Sequence, residues 1–185
     1  MKWQPVADLQ FKLAEGPFWD DVQQSLYWVD IAGFRALRLH QGRVQHWQFR
    51  EPVSAFIPTV KGDALVTLAS GVYRLNVDSP AEHPALSLLC VADPVDGNRA
   101  NEARCDSQGR LWLGSMQNNL DAEGGDLPLL RRSGGIFRVD ANARVSPLLE
   151  GQGIVNTMLW TDHGGALLSA DSLDGVIYRY LILAD

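Results

Sequence analysis

The chain has 185 residues, with 16 basic and 22 acidic side chains, four His and two Cys, for a formal net charge of -6. That length predicts one domain over residues 1–185, and 46% hydrophobic residues are enough for a packed core, which excludes disorder as an overall description. The acidic balance argues against nucleic-acid backbones and anionic membranes as partners. Cys90 and Cys105 are too few for a disulfide framework, which favours a reducing compartment. No apolar run follows Lys2, so no signal peptide is read, and no stretch approaches the ~20 apolar residues of a membrane helix. A soluble, cytoplasmic protein is the expectation.

Short apolar or aromatic runs bounded by turn residues recur along the chain, and no long stretch has the 3.6-residue apolar period of a helix. In chain order they come as pairs. Leu26-Tyr27-Trp28 precedes Ala36-Leu37-Arg38-Leu39, and Ala64 to Leu68 precedes Val72-Tyr73-Arg74-Leu75. Leu111-Trp112-Leu113-Gly114 precedes Ile136-Phe137-Arg138-Val139, and Leu167 to Asp171 precedes Ile177-Tyr178-Arg179-Tyr180. The second members of the last three pairs share one form: aliphatic, aromatic, Arg, apolar. The period, roughly 40–55 residues, is that of a four-stranded propeller blade. The chain is therefore predicted to be all-β, with about four blades of a β-propeller. Composition leaves open a small closed ring, an open fragment and half of an oligomeric ring. Exposed blade edges in an incomplete ring would invite self-association.

No Gly-x-Ser-x-Gly elbow, Walker loop, dinucleotide fingerprint or His-Glu-x-x-His pair occurs. His40, His46, His83 and His163 are scattered singly and read as surface or turn residues, while Cys105 reads as a small core residue. Trp19, Trp28, Trp112 and Trp160 read as wedges between blades, and Asp106 and Asp171 as turn or strand-end acids. What remains is a set of polar residues at the starts of innermost strands. Glu15 is enclosed by apolar and turn residues, where a carboxylate is costly without a cation to offset it. Arg99 and Asn101 share one side of their strand, and Asn156 precedes the apolar Met158-Leu159-Trp160. In this register they ring one end of a central channel, where convergent oxygen ligands suit Ca²⁺, Mg²⁺ or Mn²⁺, with Zn²⁺ also compatible. Each also has an ordinary reading: Glu15-Gly16-Pro17 as a turn, Arg99 with Asn101 as a surface pair, Asn156 as a turn former.

The sequence resembles the SMP-30/gluconolactonase family, also called regucalcin-like. Leu13-Ala14-Glu15-Gly16-Pro17 with Leu26 to Ile31 resembles its opening blade. Arg99-Ala100-Asn101, Gly109-Arg110-Leu111-Trp112 and Gly114-Ser115-Met116 resemble its Arg-x-Asn-Asp-Gly…Gly-Arg-x-Trp-x-Gly-Thr-Met signature. Asn156 to Trp160 with Leu167 to Ser172 resembles its Asn-Gly-x-x-Trp…Ala-Asp-Ser segment. The resemblance implies a six-bladed propeller that hydrolyses a sugar lactone with one divalent cation, Ca²⁺ or Zn²⁺ foremost. It implies Glu15 and Asn156 as metal ligands and Arg99 and Asn101 as contacts to the substrate. The cation would polarise the lactone carbonyl and activate water.

Three departures accompany the match. Glu102-Ala103 stands where the family has Asp-Gly, Thr157 where it has Gly, and Gln117-Asn118-Asn119 lacks an acid found there in some members. These predict a different sugar preference, set by channel-mouth loops such as Asn119 to Ser133. The family's third ligand and general base, an Asp in Pro-Asp-Gly, would lie beyond Asp185, and the apolar Leu181 to Ala184 reads as an interruption. The alternative is a calcium- or sugar-binding propeller fragment that turns nothing over.

Overall fold

The computed structural model describes Lys2 and residues 4–183; Met1, Trp3, Ala184 and Asp185 lie outside the described residues, and with them part of the N-terminal stretch and apolar tail considered above. Four antiparallel sheets follow one another along the chain. The first has β1 (Ala14–Asp20), β2 (Ser25–Asp30), β3 (Arg35–His40) and β4 (Arg43–Gln48) in that order. The second has β5 (Val53–Pro58), β6 (Ala64–Leu68), β7 (Gly71–Asn76) and β8 (Ala85–Cys90). The third has β9 (Asn98–Cys105), β10 (Leu111–Gln117), β11 (Gly134–Val139) and β12 (Val145–Gln152). The fourth has β13 (Val155–Thr161), β14 (Ala166–Asp171) and β15 (Val176–Leu181) among the described residues. The innermost strands β1, β5, β9 and β13 pack in series, which arranges the sheets as four blades of a propeller. The paired runs of the sequence are the second and third strands of each blade.

Burial explains why the blades stack. One apolar cluster joins blades 1 and 2, where Tyr27 stacks on Phe56 at 5.1 Å and Trp47 on Phe56 at 5.3 Å. A second joins blades 2 and 3 through Ala55, Val72, Leu113 and Phe137. A third joins blades 3 and 4, where Trp112 meets Trp160 edge to face at 5.8 Å. No blade has a core of its own; each face becomes dry only when its neighbour covers it.

Local polar chemistry ends the strands where the sequence places turn residues. At 106–110 and 140–144 the same five-residue turn recurs. In each, the first Asp accepts backbone N–H groups two and four residues on. Asp106 also accepts from Arg110 and from the Trp112 indole, so it is a turn acid as expected.

Three expectations are corrected. Trp19 is not a wedge: it is 49% exposed, on a face of β1 that no described blade covers, and its indole donates to Asp21. Cys105 is not a core residue: it is exposed, because the buried side of β9 ends at Ala103 as the strand runs out to the Asp106 turn. Trp112 is buried between blades 3 and 4 as expected, whereas Trp28 is buried under Phe11 of the N-terminal segment and not between blades.

Candidate functional site

A cavity of about 200 Å³ opens at one end of the channel between the innermost strands, and Glu15, Arg99, Asn101 and Asn156 all line it. Each of Glu15, Arg99 and Asn156 is the second residue of its innermost strand. The same position in the second blade is Ser54, which also lines the cavity. Sequence reading missed Ser54, although its place in the repeat was the available signal.

All four innermost strands break register at this level. In β1 the shift follows Glu15, in β5 it falls between Val53 and Ala55, in β9 between Ala100 and Glu102, and in β13 between Asn156 and Met158. A bulge bends its strand and re-aims the side chains beside it, which here serves the cavity four times. Gly16 takes the positive φ of its bulge, 61°, at no steric cost. Thr157 adopts the same φ of 61° with a β-branched side chain, a strained arrangement.

The third blade supplies a wall tied by hydrogen bonds. Arg99, 3% exposed, donates from Nη1 to the Ala100 carbonyl and to Asn101 Oδ1, and from Nη2 to Asn119 Oδ1, each at 2.9 Å. Asn101 in turn donates from Nδ2 to the Val155 carbonyl of blade 4 at 3.0 Å. Ser54 donates to the Ala100 carbonyl at 2.7 Å, so the two side chains link blade 2 to 3 and blade 3 to 4 across the channel.

The opposite wall is looser. Glu15 is exposed, and Asn156 holds only its own neighbour, Thr157 N–H, at 3.0 Å and Ser172 at 3.4 Å. The strands that carry these residues are fixed one step earlier. Buried Asp30 accepts from Leu13 N–H at 2.9 Å and from Arg35 at 2.6 Å, and buried Asp171 accepts from Gly153 and Ile154 N–H at 2.7 and 3.1 Å. Burial would raise both carboxyls, but these donors outweigh it and hold both below the ordinary carboxylate range.

Glu102 and Asn119 also line the cavity. Glu102 is pushed up in pKa by burial, with Arg104 opposing and the charge of Glu15 adding to the rise. Asn119 lies near the start of the loop between β10 and β11, which crosses from blade 3 to blade 1. There Leu120 is buried in the cluster of blades 1 and 2, and the Lys12 ammonium donates to the Glu123 carbonyl. Gly124 lies against the Ala32 carbonyl so closely that a Cβ would sit 1.9 Å from the oxygen, so only glycine fits.

The donor set around Glu15 is all oxygen: its own carboxylate, the Asn156 amide, and Glu102, whose ionisation Glu15 opposes. Such donors suit a hard divalent cation, which would relieve the repulsion between the two acids. No group of three His, Cys, Asp or Glu among the described residues is arranged to hold a metal by itself.

Comparison with known proteins places the chain in a family. The family model described as SMP-30/gluconolactonase/LRE-like region matches residues 13–185. The chain is 30% identical over 172 residues to a 6-deoxy-6-sulfogluconolactonase of Pseudomonas putida, a match covering 91% of this chain and 54% of that protein. It is 27% identical to regucalcin of Gallus gallus, over 88% of this chain and 53% of the relative. Its fold superposes with a TM-score of 0.81 on a calcium-binding regucalcin of Agrobacterium tumefaciens, at 21% identity, over 96% of this chain and 56% of that one. The chain thus spans about half the length of the curated relatives it matches. With the family model matching residues 13–185, the chain belongs to the SMP-30/gluconolactonase/LRE-like family.

Proposed function

We propose that this region forms the substrate-holding part of a divalent-metal-dependent sugar lactonase. The observation that carries the reading is the single cavity into which Glu15, Arg99, Asn101 and Asn156 converge from three blades. Glu15 and Asn156 would hold the cation, Ca²⁺ or Zn²⁺ foremost, through carboxylate and amide oxygens. When bound, the cation supplies Lewis acidity at the lactone carbonyl and lowers the pKa of water.

The chain's own residues orient the sugar. Arg99 is held in one rotamer by three acceptors, which fixes where its guanidinium lines the cavity. Asn101 keeps one Oδ1 lone pair for a sugar hydroxyl while its amide stays on Val155. Proton transfer from the attacking water is assigned to no residue of this chain.

Calorimetric titration with Ca²⁺ and Zn²⁺, beside a lactone-hydrolysis assay under each metal, tests the proposal. Expected is a heat of binding that Glu15→Gln abolishes, and gluconolactone hydrolysis above the spontaneous rate that Glu15→Gln also removes. Metal binding to folded protein without turnover would favour the calcium- or sugar-binding alternative. No heat with any metal would sink the reading.

A further inference from the structure

Six arginines of this protein pair with carboxylates among the described residues. Arg35 meets Asp30, Arg74 meets Asp63, Arg104 meets Glu102, Arg110 meets Asp106, Arg132 meets Asp171 and Asp174, and Arg179 meets Asp162. All of these arginines lie at or near the surface. Arg99 reverses both properties. It is the one arginine among the fully buried residues described, and its hydrogen-bond acceptors are three neutral oxygens, those of Ala100, Asn101 and Asn119. Its Nε is buried with no acceptor among the described residues.

A guanidinium withdrawn from water without a counter-charge is costly, and the cost is compensated where a ligand brings the anion. Burial pushes Arg99 down to about 10, which still leaves it charged at neutral pH. The same cavity holds Glu15, a carboxylate with no ion-pair partner among the described residues. One wall therefore offers a cation and another an anion. That pattern fits two bound species side by side: a metal cation at Glu15 and an oxyanion on Arg99.

We propose that the cavity takes a sugar lactone bearing an additional oxyanion group, a carboxylate, phosphate or sulfonate remote from the lactone carbonyl, and that Arg99 seats this group while the neutral Asn119 leaves its charge free to do so. The inference rests on the lactonase reading and narrows its substrate class. Asn119 is the specificity-determining partner, because its Oδ1 occupies the Nη2 position that an aspartate would neutralise.

The stable hydrolysis products provide the test. The protein is titrated calorimetrically, with Ca²⁺ or Zn²⁺ present, against D-gluconate, D-glucarate, 6-phospho-D-gluconate and its 6-sulfonate analogue. At least one ligand with the second oxyanion is expected to bind about 10- to 100-fold more tightly than gluconate, the range of a charge-assisted hydrogen bond. Which of the three wins identifies the oxyanion. Asn119→Asp, in a half-buried loop position, should bring the preference to within about threefold without unfolding the protein. Arg99→Gln, checked for fold by circular dichroism, should do the same. Gluconate binding as tightly as all three, with its binding lost in Glu15→Gln, overturns the oxyanion proposal and leaves the lactonase reading standing. A preference unchanged in Asn119→Asp also overturns it. No binding of any of the four sugars, with metal present, overturns both.

Discussion

The two walls of the cavity are built on opposite principles. On the blade 3 side, Arg99 and Asn101 are tied to one another, to Asn119 and to the backbone of blade 4, so their side chains are part of the scaffold. On the side of blades 1 and 4, Glu15 and Asn156 are loosely held, and the fixing is done in the backbone by Asp30 and Asp171. The difference teaches how a site divides its work. On the proposed reading, the groups that orient the sugar are locked in place, while those that would hold the ion are left free and only their strands are pinned.

The largest effect should come from breaking the pins beneath the looser wall. Asp30→Ala leaves Arg35 and the Leu13 N–H without their acceptor, and a loss of about 2–4 kcal/mol is expected in urea unfolding. Because the folded pKa of Asp30 lies below its usual value of 3.8, its contribution is fully present above that value. It is lost as pH falls through the folded pKa, so mutant and wild type should converge in stability in strong acid. Asn101→Ala attacks the built wall, freeing the Val155 carbonyl and one Arg99 N–H, and should cost about 1–3 kcal/mol by the same measurement. Thr157→Gly should move the other way. It removes a β-branched residue from positive φ and is expected to raise stability by about 0.5–1 kcal/mol, read as a higher melting temperature. Glu15→Gln should change metal-free stability by less than about 0.5 kcal/mol, which separates a residue kept for a ligand from one kept for the fold.

The sequence made the blades legible because aliphatic-aromatic-Arg runs and their turns repeat, and repetition survives the loss of any one signal. It also made Glu15, Arg99, Asn101 and Asn156 legible as residues near the start of innermost strands, beside a motif. Ser54 escaped because no motif surrounds it, although its register position is the same. The bulges escaped too, because one additional residue in a strand leaves no mark in composition. Cys105 and Trp19 were misplaced for a common reason: an apolar residue in a strand is buried only where a neighbouring blade reaches it. Asn119 was legible as part of Gln117-Asn118-Asn119 and of a channel-mouth loop, but its contact with Arg99 was hidden because no periodicity describes the path of that loop.

That loop has a consequence for how the molecule comes apart. Blades 1, 2 and 3 follow one another around the arc, and the segment through Leu120, Glu123 and Gly124 runs back from the third to the first as a chord. A chord turns an open row of three modules into a closed circuit, in which none can detach without releasing the others. Blade 4 stands outside the circuit, joined to blade 3 by the Trp112–Trp160 cluster and by Arg132 of the same loop on Asp171 and Asp174. In hydrogen exchange the amides of β13 to β15 should therefore open first, while the first three blades exchange together as one cooperative body.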